Sequence, residues 1–269
     1  MSGSARSLAA NPVLRQGVYS YFLAKAPLTA ALHYLLALAT MLFVIWPKSQ
    51  YLRVGSPPLT FSIEAIVATL IMTYLSFSYG AGKWGDETTQ VSPHVIVAQG
   101  LSRRSAVAGL TVLTIGHTLF FVALAFPLLV AAAHVSGVST GNFGRALLLM
   151  VTCTLAYRWL GLLTLCVWEK QDFMRYVVAR AAFVVFVLGS AFFLPSVNPL
   201  LGLISMSFGE ELGQVVLLFS RELSYATVAL IIHLLLLLGA YIMVVKLLKN
   251  EASAPSARAL TRDLGHTQG

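Results

Sequence analysis

The chain has 269 residues, of which 58% are hydrophobic and only 10% are charged, whereas a soluble domain carries about 25% charged residues. With a mean hydropathy of +0.80 there is too little polar surface to clothe a water-soluble core, so a soluble enzyme or binding module is excluded and lipid is the expected solvent. The formal net charge is +8, but the basic residues are scattered at the ends of apolar runs and build no basic face, which argues against a nucleic-acid partner and for topology signals.

Residues 1–26 are polar to amphipathic. They lack the apolar stretch of a signal peptide, so no cleavable leader is expected. Asn11 and Pro12 are a helix-start signal, and Val13, Leu14, Val18, Tyr21 and Phe22 recur near helical spacing, which predicts a cytoplasmic amphipathic helix in the membrane interface. Six apolar runs follow, over 27–46, 59–79, 105–133, 146–168, 176–194 and 223–248. The first of them is about 30 Å long as a helix, enough to cross the hydrocarbon core. The third contains Pro127, where a kink is expected. Between the fourth and third runs, residues 134–145 read as a Gly/Ser/Thr-rich loop, and 195–222 as a long connection that is oddly apolar. The segment 249–269 reads as a polar, disordered cytoplasmic tail. The fold class is therefore an all-α integral membrane protein with six transmembrane helices. Cys153 and Cys166 share one run. A helix would hold them about 20 Å apart, too far to bridge.

Orientation follows from Lys and Arg. With the N-terminus inside, thirteen of the eighteen fall on the cytoplasmic side, four fall outside and one, Arg158, lies within a span. Both termini are thus expected in the cytoplasm. No internal repeat is visible, which removes the pattern of repeat-built secondary transporters.

Few residues carry chemistry. Arg158 falls twelve or so residues into the fourth run, near the expected midplane, where a charge costs roughly 3 to above 10 kcal/mol. It is either a substrate-path or anion-binding residue, or a structural arginine held by local partners such as Tyr157, Thr154 and Trp159. Glu64 lies near the outer end of the second run; it binds a cation or proton, or reaches the interface to pair with a base such as Arg53. His117 and His233 fall near mid-membrane, where they could hold a b-type haem or relay protons, or simply be hydrogen-bonded in the bundle. Gly80-Ala81-Gly82-Lys83 resembles the end of a phosphate loop, but Phe77 stands where that loop needs Gly and Trp84 where it needs Ser or Thr. The chain is therefore expected to have no ATPase and no catalytic site of its own. The inside loop 80–104 is polar at first, with Asp86 and Glu87, then carries Val91 and Val95 before Arg103 and Arg104. Ser92 before Pro93 is a further helix start, so this loop is expected to present a short helix to the cytoplasm as a docking surface.

Glu87-Thr88-Thr89-Gln90, Leu101-Ser102-Arg103-Arg104 and Gly109 resemble the permeases of type-2 ABC exporters, in which a Glu and a Thr open the helix between spans two and three and a Pro-Leu-Ser-Arg-Arg turn follows. Asn11-Pro12-Val13-Leu14, the six spans and Asn198-Pro199-Leu200 also fit. The chain departs from the pattern at Gly100 for the turn Pro, at Leu110 for a Lys, and at Gln16-Gly17 for an acidic residue of the N-terminal helix. The resemblance implies a permease subunit of an ATP-hydrolysing translocase in the plasma membrane. It implies a second permease, identical or homologous, and a separate cytoplasmic ATPase that binds ATP and Mg, with no cofactor bound by this chain. It also implies a coupling helix between spans two and three, served by Asp86, Glu87, Val91, Val95, Arg103 and Arg104, and a re-entrant segment between spans five and six. Arg158, Glu64, His117 and His233 become candidates for the translocation path. A haem-binding or redox membrane protein using the two histidines, and an ATP-independent carrier or scaffold, are the alternative expectations.

Overall fold

The structure, a computed structural model, describes residues 11–47, 59–82, 102–168, 171, 173–208, 215–218 and 221–252. The chain is mostly helical. Helix α1 (Pro12–Val18) runs into a π-helical turn, Tyr19–Leu23. Ala24, with ψ 151, breaks the path before α2 (Lys25–Ile45). There follow α3 (Thr60–Ala81), α4 (Arg103–Val135) and α5 (Thr140–Val167). A second π-helical turn, Met174–Val178, leads into α6 (Ala179–Phe193). The short α7 (Pro199–Phe208), an antiparallel hairpin of β1 (Val215–Leu218) and β2 (Arg221–Ser224), and α8 (Tyr225–Ala252) complete the order. Among the described residues six helices are long and apolar enough to cross a membrane: α2, α3, α4, α5, α6 with its π-turn, and α8.

These helices are built from Leu, Ala, Val and Ile, and several of their hydroxyl residues bond their own helix. Thr69, Thr73 and Thr154 each donate to the carbonyl four residues back, at 2.7 Å in all three cases, so these three leave no donor unmet. Several of the helix starts in the chain are capped by a side chain. Asn11 Oδ1 accepts from Val13 N at 3.0 Å, Ser102 caps α4 and Ser139 caps α5. Asn198 Oδ1 accepts from Leu200 N at 2.8 Å and Leu201 N at 3.2 Å at the start of α7.

Two helices form the centre. The apolar windows of α3 and α5 are 61% and 67% buried, against 22–33% for the other four, so α2, α4, α6 and α8 surround them. Helices α3 and α5 touch backbone to backbone: a Cβ on Gly161 would meet Phe77 O at 2.3 Å, and one on Gly80 would meet Arg158 O at 2.4 Å. Small residues at a helix crossing are the usual route to close packing where lipid supplies no hydrophobic drive between helices. One apolar core, with Tyr34, Phe61, Met72, Phe121, Leu149 and Leu203, fills most of the bundle. A second, with Val13, Leu110, Leu113, Trp159 and Val244, joins α1, α4, α5 and α8.

Several boundaries differ from the sequence expectation. Helix α5 begins at Thr140 rather than Ala146, because Ser139 Oγ accepts from Asn142 N at 3.3 Å; only a tight turn with Gly137 at φ 67 is left of the expected loop. Leu223 and Ser224, expected to open the sixth span, belong to β2, where Leu223 pairs with Val216. Helix α8 continues to Ala252, past the expected start of the disordered tail. Helix α4 runs through Pro127 to Val135 without ending there.

Candidate functional site

The N-terminal segment lies along α4 in register. Asn11 Nδ2 donates to Ser105 O at 2.8 Å and to Ser105 Oγ at 3.1 Å. A Cβ on Gly109 would come within 3.1 Å of Val13 Cβ, and one on Gly17 would strike the Leu113 side chain. One turn on, the rings of Tyr21 and Phe22 each sit 5.5 Å from that of His117. Partners thus recur at 105, 109, 113 and 117, one helical turn apart. This brings Tyr21 from the N-terminal segment to Arg158 from α5.

Arg158 is 2% exposed. Its guanidinium carbon stands 4.4 Å from the Tyr21 ring centroid and 5.7 Å from that of Tyr79. Its hydrogen bond from Nη1 to Ser76 O is long at 3.4 Å, the Tyr21 hydroxyl is within hydrogen-bond reach, and Nε has no partner among the described residues. Of the ten acidic residues only Glu64 and Glu222 have described side chains, and among the described residues no carboxylate pairs with Arg158. Bringing a cation out of water costs several kcal/mol even after relaxation, and a desolvated aromatic face returns about 2 kcal/mol. Two rings, the Tyr21 hydroxyl within hydrogen-bond reach and one long contact offset part of that cost, and no carboxylate among the described residues offsets the rest. His117 Nδ1 and Ser76 Oγ are also buried without hydrogen-bond partners among the described residues, and the His117 ring lies 4.9 Å from that of Tyr79.

The partners differ from those expected. Thr154 donates to Met150 O, Tyr157 meets His233, and Trp159 packs on Tyr241; Arg158 turns instead to residues of α3 and the N-terminal segment. Nor does Arg158 lie midway along its helix, once α5 starts at Thr140. Nine residues, roughly 13 Å, separate it from Val167. Its neighbour Tyr79 is likewise close to the end of α3. The cluster sits toward the end of the bundle where α3 and α5 finish.

The other candidates fall elsewhere. Glu64 is fully buried on α3, and neither carboxyl oxygen has a partner among the described residues. The Tyr34 hydroxyl, also without a hydrogen bond among the described residues, lies within electrostatic reach of it. Tyr34 lines a groove of about 870 Å³ between α2 and α3, with Lys25 and His33 among its walls. His233 is engaged on both sides. Nδ1 bonds Ala229 O at 2.8 Å, so it carries the proton, and the Tyr157 hydroxyl faces Nε2 at 3.4 Å and donates to it. His117 and His233 thus have separate sets of neighbours. Among the described residues no group of three His, Cys, Asp or Glu could hold a metal.

The expected coupling helix and its Asp86, Glu87, Val91 and Val95 lie outside the described residues. Arg103 and Arg104 open α4, with Arg104 exposed. The boundary of that loop is held: Arg180 of α6 donates from Nη2 to Gly82 O at 2.9 Å, where Gly82 takes φ 86. Sequence reading misses Tyr21, Tyr79 and Ser76 as the shell of Arg158. Three partners drawn from two other segments leave no local spacing to detect; the available signal is Gly80 and Gly161, small residues that mark where helices meet.

Comparison of the chain with protein-family models, with curated proteins and with solved structures finds no match.

Proposed function

We propose that this chain is the permease subunit of an ATP-driven exporter of the type-2 ABC class, forming the translocation pathway and coupling to a separate cytoplasmic ATPase. The observation that carries the reading is α7. Ten residues make about 15 Å of helix, half a membrane span, yet α7 is inserted in the bundle: Leu203 is fully buried, and a Cβ on Gly202 would lie 3.1 Å from Leu149 of α5 and 3.4 Å from Ala229 of α8. Asn198 tethers its start to α6, donating to Val187 O at 2.7 Å and Ser190 Oγ at 2.8 Å. An apolar half-helix between the fifth and sixth long helices is what the resemblance to these permeases calls for, as a re-entrant segment on the outer side.

In this reading both termini and the 80–104 loop are cytoplasmic, in the plasma membrane. Helix α1 and the π-helical turn after it sit at the cytoplasmic interface with Val13 and Tyr21 against α4 and α5, while exposed Val18, Tyr19 and Leu23 meet lipid. Asp86, Glu87, Val91 and Val95, with Arg103 and Arg104, present the coupling surface. ATP and Mg stay on the partner. The incompletely covered α2, α4, α6 and α8 leave room for a second permease as well as lipid. Arg158, Glu64, His117 and His233 are the polar groups available to a translocation path.

The test is coupling. A carboxylate at an exposed helix start accepts charge-assisted hydrogen bonds from a basic partner, and breaking such a pair at a desolvated interface costs about 2–5 kcal/mol. Glu87→Arg is expected to lower association with the ATPase encoded or purified alongside the chain, and Asp172→Arg to do so less. Pull-down and stimulated ATP hydrolysis read both. An absence of any associated ATPase would overturn the assignment, and loss with Asp172→Arg alone would move the coupling site to the inside loop between the fourth and fifth apolar runs, residues 169–175, which holds Asp172.

A further inference from the structure

We infer that Arg158 is the centre of an anion-binding site, that its ligand is a phosphate or carboxylate group, and that Tyr21 closes the site by occupying it. The inference deepens the exporter reading by naming a ligand class for one of its path residues. A guanidinium in a water-poor interior is normally matched by an anion. Here its place is taken by the face of Tyr21, 4.4 Å away. Around it the polar groups left over are Arg158 Nε, which is a donor, Ser76 Oγ, which is able to donate, and His117 Nδ1, which donates in one tautomer. Each is buried and without a hydrogen bond among the described residues. A structural arginine placed only to hold helices together would be expected to use its N–H groups on carbonyls. This one makes a single long contact of that kind, at 3.4 Å.

The closing group belongs to a separable element. Tyr21 lies in the π-helical turn Tyr19–Leu23, and such turns occur often at functional sites. The turn is joined to α2 through Ala24, whose extended backbone is a break between two helical segments. Rotation about that break, with release of the Asn11, Val13 and Gly17 contacts along α4, would carry Tyr21 and Phe22 off Arg158 and His117 together. The ligand would approach from the end of the bundle where α3 and α5 finish, the end that the charge count places in the cytoplasm. Arg158, Tyr79 and Ser76 stay with the α3–α5 crossing and form the fixed wall.

The experiment uses the purified full chain without any ATPase, so its outcome is independent of the coupling test. Nanodiscs of phosphatidylcholine, with and without phosphatidic acid, are compared for retained lipid by native mass spectrometry, and orthophosphate is added as a competitor. Retention of phosphatidic acid over phosphatidylcholine, lost in Arg158→Gln, supports the site with a lipid headgroup as source. Saturable orthophosphate binding, lost in Arg158→Gln without lipid preference, supports it with a free anion as source. Tyr21→Ala, which keeps Arg158, is expected to raise affinity about tenfold by removing the closed state, and Tyr21→Phe, which keeps the ring but loses the hydroxyl's bond to the guanidinium, to raise it less. Failure of folded Tyr21→Ala protein to bind either anion would overturn the proposal, as would anion binding that is unchanged in Arg158→Gln. The Tyr21→Ala arm decides the matter even if Arg158→Gln does not fold.

Discussion

The crossing of α3 and α5 is the most sensitive point of the bundle, and Gly161→Ala tests it. A Cβ there would stand 2.3 Å from Phe77 O, 2.8 Å from Ala81 N and 2.9 Å from Gly80 Cα. All three are backbone atoms of α3, so no side-chain rotation relieves the clash. Ordinary contact begins near 3.4 Å, and the helices must part by about an ångström. Overpacking a well-filled interior costs about 1–3 kcal/mol, and with rigid backbone on both sides the upper end applies. About 3 kcal/mol is a factor of roughly 150 in the folded-to-unfolded ratio. Gly189→Ala and Gly239→Ala are the controls, since nothing lies within 4 Å of either position and Ala in a helix gains about 1 kcal/mol over Gly. Thermal unfolding in detergent, followed by loss of the monodisperse elution peak, reads all three. A Gly161→Ala protein that melts with the wild type or above it would show that the helices are not in backbone contact.

Asn198→Ala removes two donated and two accepted hydrogen bonds at the α6–α7 corner and is expected to cost about 2–3 kcal/mol in the same melt; a shift within error would mean that α7 is held by packing alone. Arg158→Leu is expected to leave a folded chain that no longer transports in a reconstituted complex, because it removes a cation with few compensating bonds; a loss of folded yield that Arg158→Lys restores would instead mark a structural role. Arg180→Ala frees Gly82 O from its 2.9 Å bond and is expected to reduce ATPase stimulation by the permease while leaving ATPase binding intact, measured as hydrolysis against pull-down. A cysteine at Ser139, the exposed cap of α5, should react with an impermeant thiol reagent from outside the cell, whereas one at Thr88 should not; the reverse pattern would invert the orientation.

The six long helices are legible in the sequence because each is a continuous apolar run whose length is set by the bilayer, and this signal needs no tertiary information. The start of α1 is legible for a local reason too, since Asn11 and Pro12 act on the very next residues. The start of α5 is hidden because Gly141 and Gly144 read as loop, while the cap at Ser139 is one bond. The hairpin is hidden because Val215–Leu218 is an apolar run too short to tell strand from buried helix. Arg158 stands out as a charge in an apolar run, but its surroundings do not. Tyr21 is 137 positions away and Tyr79 is 79 positions away in the chain, and one sequence has no spacing rule that joins them.

Distance in sequence also explains how the cluster is assembled. Gly161 is three residues after Arg158, on the same side of α5, and Gly80 adjoins Tyr79. Closing the two helices to backbone contact at that pair leaves no room for a long side chain directly between them, so the Arg158 guanidinium is displaced beside α3, onto Tyr79 and toward Ser76 O. That wall is fixed by the same contacts that fix the bundle. The opposite wall is a short N-terminal segment, tied by Asn11 at one end and leading through the Ala24 break at the other. A buried cation with one rigid wall and one separable aromatic wall has its charge in place before any ligand arrives, so a ligand need only displace Tyr21 rather than build the site. The arrangement therefore puts the conformational cost on the N-terminal segment, and that is why Tyr21→Ala adds to the Arg158 variants a test that leaves the arginine and its fixed wall in place.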